Sequence, residues 1–223
     1  MKSSAARNLV AEFLGTATLL SVIVGSGIMA TSLSEDVGVQ LLMNALSIGA
    51  ALFVLITMLG PISGAHFNPA VTLAFWLRRE MSAREALRYM AAQFVGAAIG
   101  TVIANVLFGL NAVSIATNER TGLNLWLSEF LATAALITLI LVMVNRGAGH
   151  VIPALVGVWI TSAIIFTSST SFANPAVTVA RTLSDTFTGI APTAAPMFIV
   201  VQLLAVFAGF HLSHFLHPNP ERS

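Results

Sequence analysis

Phe67-Asn68-Pro69-Ala70-Val71-Thr72 and Ala173-Asn174-Pro175-Ala176-Val177-Thr178 are the two stretches whose reading decides the fold. Asn is a favoured helix N-cap, and Pro is favoured at the first helical position, where its missing N–H costs nothing. Each Asn-Pro-Ala triplet therefore predicts the start of a short helix. The 10 residues from Asn68 to Leu77 would make a rod of roughly 15 Å at 1.5 Å per residue, about half the hydrocarbon thickness of a bilayer. His66–Leu77 and Phe172–Leu183 are both apolar enough to be buried and too short to cross. A lone Asn-Pro is ordinary turn chemistry; two copies in matched apolar surroundings ask for another explanation.

Outward from these triplets the chain reads as membrane helix. A span needs roughly 20 mostly apolar residues, and six segments qualify: about 8–30, 38–60, 85–108, 125–145, 150–168 and 194–216. The composition agrees: 57% of the 223 residues are hydrophobic and 9% charged, against about 25% charged in an ordinary soluble domain. Lys2 and Arg7 precede the first apolar run as in a signal peptide, but Leu9 to Ala30 is long enough to span, so it reads as the first membrane helix. A net charge of +1 gives no reason to expect a nucleic-acid partner. The absence of cysteine removes disulfides, zinc-thiolate sites and thiol catalysis.

The chain repeats itself. Ala11-Glu12-Phe13-Leu14 matches Ser128-Glu129-Phe130-Leu131, the two triplets match each other, and Ala92-Gln93-Phe94 matches Val201-Gln202-Leu203. The offsets are 117, 106 and 109 residues, in unbroken order. This is a tandem duplication within one membrane domain, 1–223, with a first repeat over 1–110 and a second over 125–217. Three spans per half turn the second repeat upside down, which gives a pseudo-two-fold axis in the membrane plane and a site at the midplane. Two half-helices entering from opposite faces would meet there N-terminus to N-terminus. Each N-terminus carries about half a positive charge, so the pair repels cations, hydronium included. The Asn68 and Asn174 amides can each donate a hydrogen bond to a passing solute. Irregular backbone at that depth is tolerated only along a polar path, so the expectation is a narrow pore. Lys2, Arg7, Arg78, Arg79, Arg84, Arg88, Arg146 and Arg222 fall on the side of the termini, and Arg120 and Arg181 on the other. By the positive-inside rule both termini are cytoplasmic.

Ser63-Gly64-Ala65-His66-Phe67-Asn68-Pro69-Ala70-Val71-Thr72, the second triplet and the repeated Glu-Phe-Leu and Gln motifs resemble the major intrinsic proteins, the aquaporins and aquaglyceroporins, over nearly the whole chain. The resemblance implies an all-α, aquaporin-like membrane fold with six transmembrane helices, two re-entrant half-helices and an inverted repeat. It also implies a homotetramer with one pore per subunit, facilitated diffusion of small neutral solutes, proton exclusion, and residence in the bilayer of the inner (plasma) membrane. No cofactor and no metal are implied. The family pattern continues the second triplet with Arg, which narrows the outer filter; here that position is Val177. This removes a permanent charge and a rigid fork of donors. By spacing, the other filter positions are Ile48, Ser171 and, on the fifth span, Ile164 counted from Pro153 or Ser162 counted back from Asn174; helical register favours Ile164. A filter of Ile48, Ile164, Ser171 and Val177 resembles those passing solutes larger than water. Among bacterial members it resembles the arsenic-resistance-linked type, which makes arsenous acid or similar metalloid hydroxides candidate permeants beside water and glycerol.

Other residues divide between readings. Glu12 and Glu129 are ionisable groups inside spans, a functional flag by default; they either carry protons in a coupled carrier or, as the resemblance implies, brace the re-entrant loops. His66 is expected in the inner vestibule. Arg181 lies four residues after Val177 and so one turn along the same face; it is either a displaced filter charge in the outer vestibule or the partner of Asp185. His211, His214 and His217 recur every three residues and read as an interfacial helix end rather than a metal site. Gly96 and Gly100 give the Gly-x-x-x-Gly spacing of close helix packing. No nucleophile–base pair, metal cluster or phosphate loop points to an enzyme. The alternatives to a solute channel of this kind are a strict water channel and a proton-coupled small-solute carrier.

Overall fold

The computed structural model of this chain describes residues 4–217; Lys2 and Arg222, counted above for orientation, lie outside the described residues. Among the described residues, six helices are long and apolar enough to cross a membrane. In chain order they are α1 (Ala5–Leu33), α2 (Val37–Ser63), α4 (Ala83–Leu107), α5 (Leu123–Asn145), α6 (Ile152–Phe166, entered through a 3-10 turn at Gly149–Val151) and α8 (Ala195–Leu216). Between them lie the half-helices α3 (Pro69–Leu77) and α7 (Pro175–Ala180), the latter prolonged by a 3-10 turn at Arg181–Leu183. The expected spans agree to within a few residues at each end. Local signals set those ends: Asp36 accepts from the Gly38 and Val39 amides at the start of α2, and Ser82 and Glu85 form a reciprocal capping box on α4.

Packing follows the duplication. α1 lies along α4, and their counterparts α5 and α8 lie along each other, while α2 and α6 join the halves. Each seam closes on glycine. A Cβ at Gly96 or Gly100 would sit 2.5 Å or 2.1 Å from the carbonyl oxygens of Phe13 and Ala17, and one at Gly209, the counterpart of Gly100, 2.6 Å from that of Ala134. Gly49 of α2 and Gly157 of α6 press on each other's carbonyls, at 2.8 Å and 2.6 Å for the missing Cβ atoms. Without a hydrophobic force between helices in lipid, such close backbone approach is what holds spans together.

Polarity runs opposite to that of a soluble protein. Val10, Leu14, Leu46, Val54, Leu131 and Leu204 are exposed on the spans, whereas Glu12, Gln93, Glu129 and Gln202 have no exposed surface. On the face away from the termini, the segment between α4 and α5 forms a strap over the α7–α8 connection. The Ser114 and Ala116 amides donate to the Leu183 and Thr182 carbonyls (3.0 and 2.9 Å), and the Ala191 amide donates to the Asn118 carbonyl (2.8 Å).

Candidate functional site

α3 and α7 begin as their sequences demand. Pro69 and Pro175 take the first helical positions, and the Asn68 side-chain oxygen accepts from the Ala70 amide while that of Asn174 accepts from Ala176 and Val177. The side-chain nitrogens tie the two starts together. Asn68 Nδ2 donates to the Ala173 carbonyl (2.7 Å), and Asn174 Nδ2 donates to the Phe67 carbonyl (2.9 Å). An amide nitrogen carries two donors, so each Asn keeps one N–H with no protein partner, and both residues line the central cavity.

The segments leading into the triplets share an unusual backbone. Gly64, Ala65 and Phe67 in the first loop, and Thr170, Ser171 and Ala173 in the second, all have φ between +47° and +88°. These are the same three positions of each repeat, 106 residues apart. A non-glycine residue held there costs on the order of 1–3 kcal/mol and persists only where its surroundings over-determine it. The buried carboxylates do so. Glu12 accepts from the His66 and Phe67 amides (2.9 and 2.7 Å), Ser63 Oγ (2.7 Å) and Gln93 Nε2 (2.8 Å). Glu129 accepts from the Phe172 and Ala173 amides (2.8 and 2.9 Å) and Gln202 Nε2 (2.7 Å). Both carboxylates lie behind the loops, and neither lines the cavity.

That cavity runs between the two repeats. Its wall is apolar for most of its length, with Leu52, Ile56, Leu136, Ile140 and Val156 prominent, and its polar atoms concentrate at the re-entrant loops. Ile48, Ile164, Ser171 and Val177 all line it and all are buried. Ser162, the other count for the fifth-span position, is exposed on the outside of α6 and does not reach it. The Ser171 hydroxyl is buried without a hydrogen-bond partner.

His66 also lines the cavity, but its ring stacks on Phe75 (4.6 Å between centroids) with Nδ1 3.1 Å from Thr72 Oγ1. His211 and His214 are exposed at the end of α8 and His217 is half-buried. The Arg181–Asp185 pair does not form. Helical i,i+4 geometry fails because α7 tightens into a 3-10 turn at Arg181 and the chain turns extended at Ser184. Asp185 instead accepts from the Thr117 amide and hydroxyl (2.9 and 3.0 Å). Arg181 is buried, lines the cavity, donates its Nε to the Thr188 carbonyl and stacks on Phe172, with Cζ 3.4 Å from the ring centroid.

Phe172 escaped the sequence reading, as did Arg120 of the strap. The Arg120 guanidinium approaches the same ring at 5.4 Å and donates Nε to the Gly189 carbonyl (2.9 Å); burial lowers its pKa. The repeat alignment held a usable signal, since it pairs Phe172 with His66.

A sequence profile described as major intrinsic protein matches residues 1–173. An aquaglyceroporin, AqpS of Rhizobium meliloti, is 45% identical over 210 residues, covering 94% of this chain and 90% of that protein. Aquaporin AqpM of Methanothermobacter marburgensis is 31% identical over 209 residues, covering 82% of this chain and 85% of that one. The crystal structure of an aquaglyceroporin from Plasmodium falciparum superposes with a TM-score of 0.72 over 98% of both chains, at 22% identity, which is a likeness of fold.

Proposed function

This chain belongs to the major intrinsic protein family, and we propose that within it the chain is a wide-filter member that passes arsenous acid or similar metalloid hydroxides besides water and glycerol. It is an integral, multi-pass membrane protein and a passive channel, not an enzyme. The observation that carries the finer reading is Val177. It stands in the first turn of α7, faces the cavity with Ile48 and Ile164, and brings no guanidinium to that level. The constriction made by Ile48, Ile164, Ser171 and Val177 then selects by size and hydroxyl display. Arsenous acid is uncharged at neutral pH and presents hydroxyls much as a polyol does. Such a solute can exchange hydration for the free N–H groups of Asn68 and Asn174 at the centre. The half-helix N-termini add positive potential there and disfavour cations. Bonded as they are, Glu12 and Glu129 support a bracing role over a proton-carrying one.

The same reading places both termini in the cytoplasm of a plasma membrane, from the basic side chains on that face. It assigns the repeats to 1–110 and 125–217 and assembles the chain as a homotetramer whose subunits each enclose their own pore.

The experiment is arsenous-acid and water flux in the same proteoliposomes, for the native chain and Val177→Arg. Arsenous-acid flux above that of empty vesicles, cut more than water flux by the substitution, is expected. Fast water flux with no arsenous-acid flux would make this a strict water channel, and equal losses would remove Val177 from size selection.

A further inference from the structure

The two re-entrant loops carry equivalent three-residue stacks at opposite ends of the pore. In the first repeat His66 stacks on Phe75 (4.6 Å) and lies 5.4 Å from Tyr89, tilted by 58°. Offsets of 106 and 109 residues turn these into Phe172, Arg181 and Phe198. In the second repeat Arg181 stacks on Phe172 (3.4 Å), and Phe198 lies 5.2 Å away at 65°. The fold thus provides a slot for a flat group against the ring at the residue-66/172 position. In one half an apolar phenyl fills it. In the other a guanidinium does, and packing alone does not call for that charge.

The charge is also poorly spent inside the protein. Arg181 is 6% exposed, yet among the described residues the single hydrogen bond of its side chain goes from Nε to the Thr188 carbonyl, and no carboxylate pairs with it. The nearby acids are committed elsewhere: Asp185 to Thr117, Glu119 to Thr193, and Glu129 to the loop amides. Arg120 adds a second cation on the same ring. Stacking on Phe172 and the Nε bond fix the plane of the guanidinium and leave its two terminal nitrogens without protein partners. A buried charge in that state is costly unless a partner arrives. Another buried group on the same cavity wall, the Ser171 hydroxyl, is 5% exposed and has no partner among the described residues.

We propose that Arg181 and Ser171 form a binding site for a small singly charged oxyanion at the outer mouth of the pore. A planar guanidinium offers two parallel N–H donors that match two oxygens of one oxyanion, and the serine hydroxyl supplies a third. Arg181 stands one turn outside Val177 and Ser171 belongs to the constriction, so the site holds the anion at the outer edge of the narrow part, where it competes with solute for access. The inference rests on the reading of the cavity as the solute path.

Nitrate is the probe, being flat, trigonal and singly charged, with gluconate as the bulky control anion. Water and arsenous-acid flux are measured in proteoliposomes with sodium nitrate or sodium gluconate on both faces, at matched ionic strength and osmolarity. Native flux should fall saturably with nitrate and stay level in gluconate. The ratio of flux in nitrate to flux in gluconate should return to one in Arg181→Gln. The half-inhibiting nitrate concentration should rise about tenfold or more in Ser171→Ala, the worth of one hydrogen bond to a charged group, and this carries the test if Arg181→Gln does not assemble. Equal native flux in the two salts overturns the site, as does nitrate inhibition that survives Arg181→Gln, or an unshifted half-inhibiting concentration in Ser171→Ala. Nitrate-insensitive arsenous-acid flux would remove the site and leave the wide filter standing. Nitrate-sensitive water flux without arsenous-acid flux would do the reverse.

Discussion

Replacing Glu129 by Gln keeps the shape of the side chain and removes one acceptor, and its cost can be worked from the loop it holds. Three donors converge on this carboxylate: the amides of Phe172 and Ala173 and the side-chain nitrogen of Gln202. A glutamine offers one oxygen, and its NH₂ must face a backbone N–H. One buried donor is then left unpaired, at about 1–3 kcal/mol. The remaining bonds lose charge assistance, which roughly halves them and takes about 1 kcal/mol more from each. The sum is roughly 3–5 kcal/mol, applied to a loop already carrying three residues of positive φ. For a chain of this size each kcal/mol moves the melting midpoint about 2–4 °C, so a drop of about 6–20 °C is expected on heating the detergent-solubilised protein and following its monodisperse fraction. Passive flux should fall as well, because the Ala173 carbonyl anchors the Asn68 amide. Glu12→Gln, with four donors at stake, should be the more damaging. An unchanged melting midpoint with unchanged flux would refute the bracing argument. So would solute accumulation driven by a proton gradient in the native chain and lost in Glu129→Gln, since a brace concentrates nothing.

Gly157→Ala should destabilise the joint between the halves by about 1–3 kcal/mol, typical of forced overpacking, because its Cβ would lie 2.6 Å from the Gly49 carbonyl oxygen; thermal denaturation measures it, and a neutral result would mean that α2 and α6 can separate freely. Ile164→Trp should block solutes larger than water while Ser162→Trp should not, since only Ile164 reaches the cavity; equal effects on glycerol flux would sink that assignment. Asn174→Asp should raise cation leak, because a carboxylate offsets the half-helix dipole and withdraws both amide donors; an unchanged leak from correctly assembled protein would count against a central electrostatic barrier.

The parts of this architecture legible in the sequence are those with local causes. Spans show as apolar runs, half-helix starts as Asn-Pro-Ala, and braces as ionisable residues repeated in spans where charge is expensive. Helical register points to Ile164, which lines the cavity, because α6 is an unbroken helix from Ile152 to Phe166, whereas counting back from Asn174 crosses an irregular loop. Spacing of four offered Asp185 as one possible partner of Arg181, but that spacing means one face only while the helix lasts, and α7 ends at Ala180. Phe172 and Arg120 were missed for a different reason. Arg120 reaches the mouth through strap bonds to residues some 70 positions away, such as that to Gly189, and no periodicity in a single sequence records such a pairing.

Duplication also sets Val177 against a counterpart in the first repeat. Val71 and Val177 occupy equivalent positions after the two triplets, and both line the cavity. With valine in both places the middle of the pore is close to symmetric: two capped half-helices, two amides tied across the axis, two carboxylate braces and two aliphatic side chains facing the lumen. What the family's arginine would supply at Val177 is asymmetry, a charge inside the narrow part. Here the asymmetry has moved outward to the pair Phe75 and Arg181, apolar at one end and cationic at the other. A charge at the constriction narrows the path and meets every solute at its tightest point. A charge one turn outside leaves the constriction to size and hydroxyl chemistry and acts on solutes only as they arrive. The two tasks can then be altered separately, so Val177→Arg should change which solutes pass, and Arg181→Gln should change how anions in the bath modulate that passage.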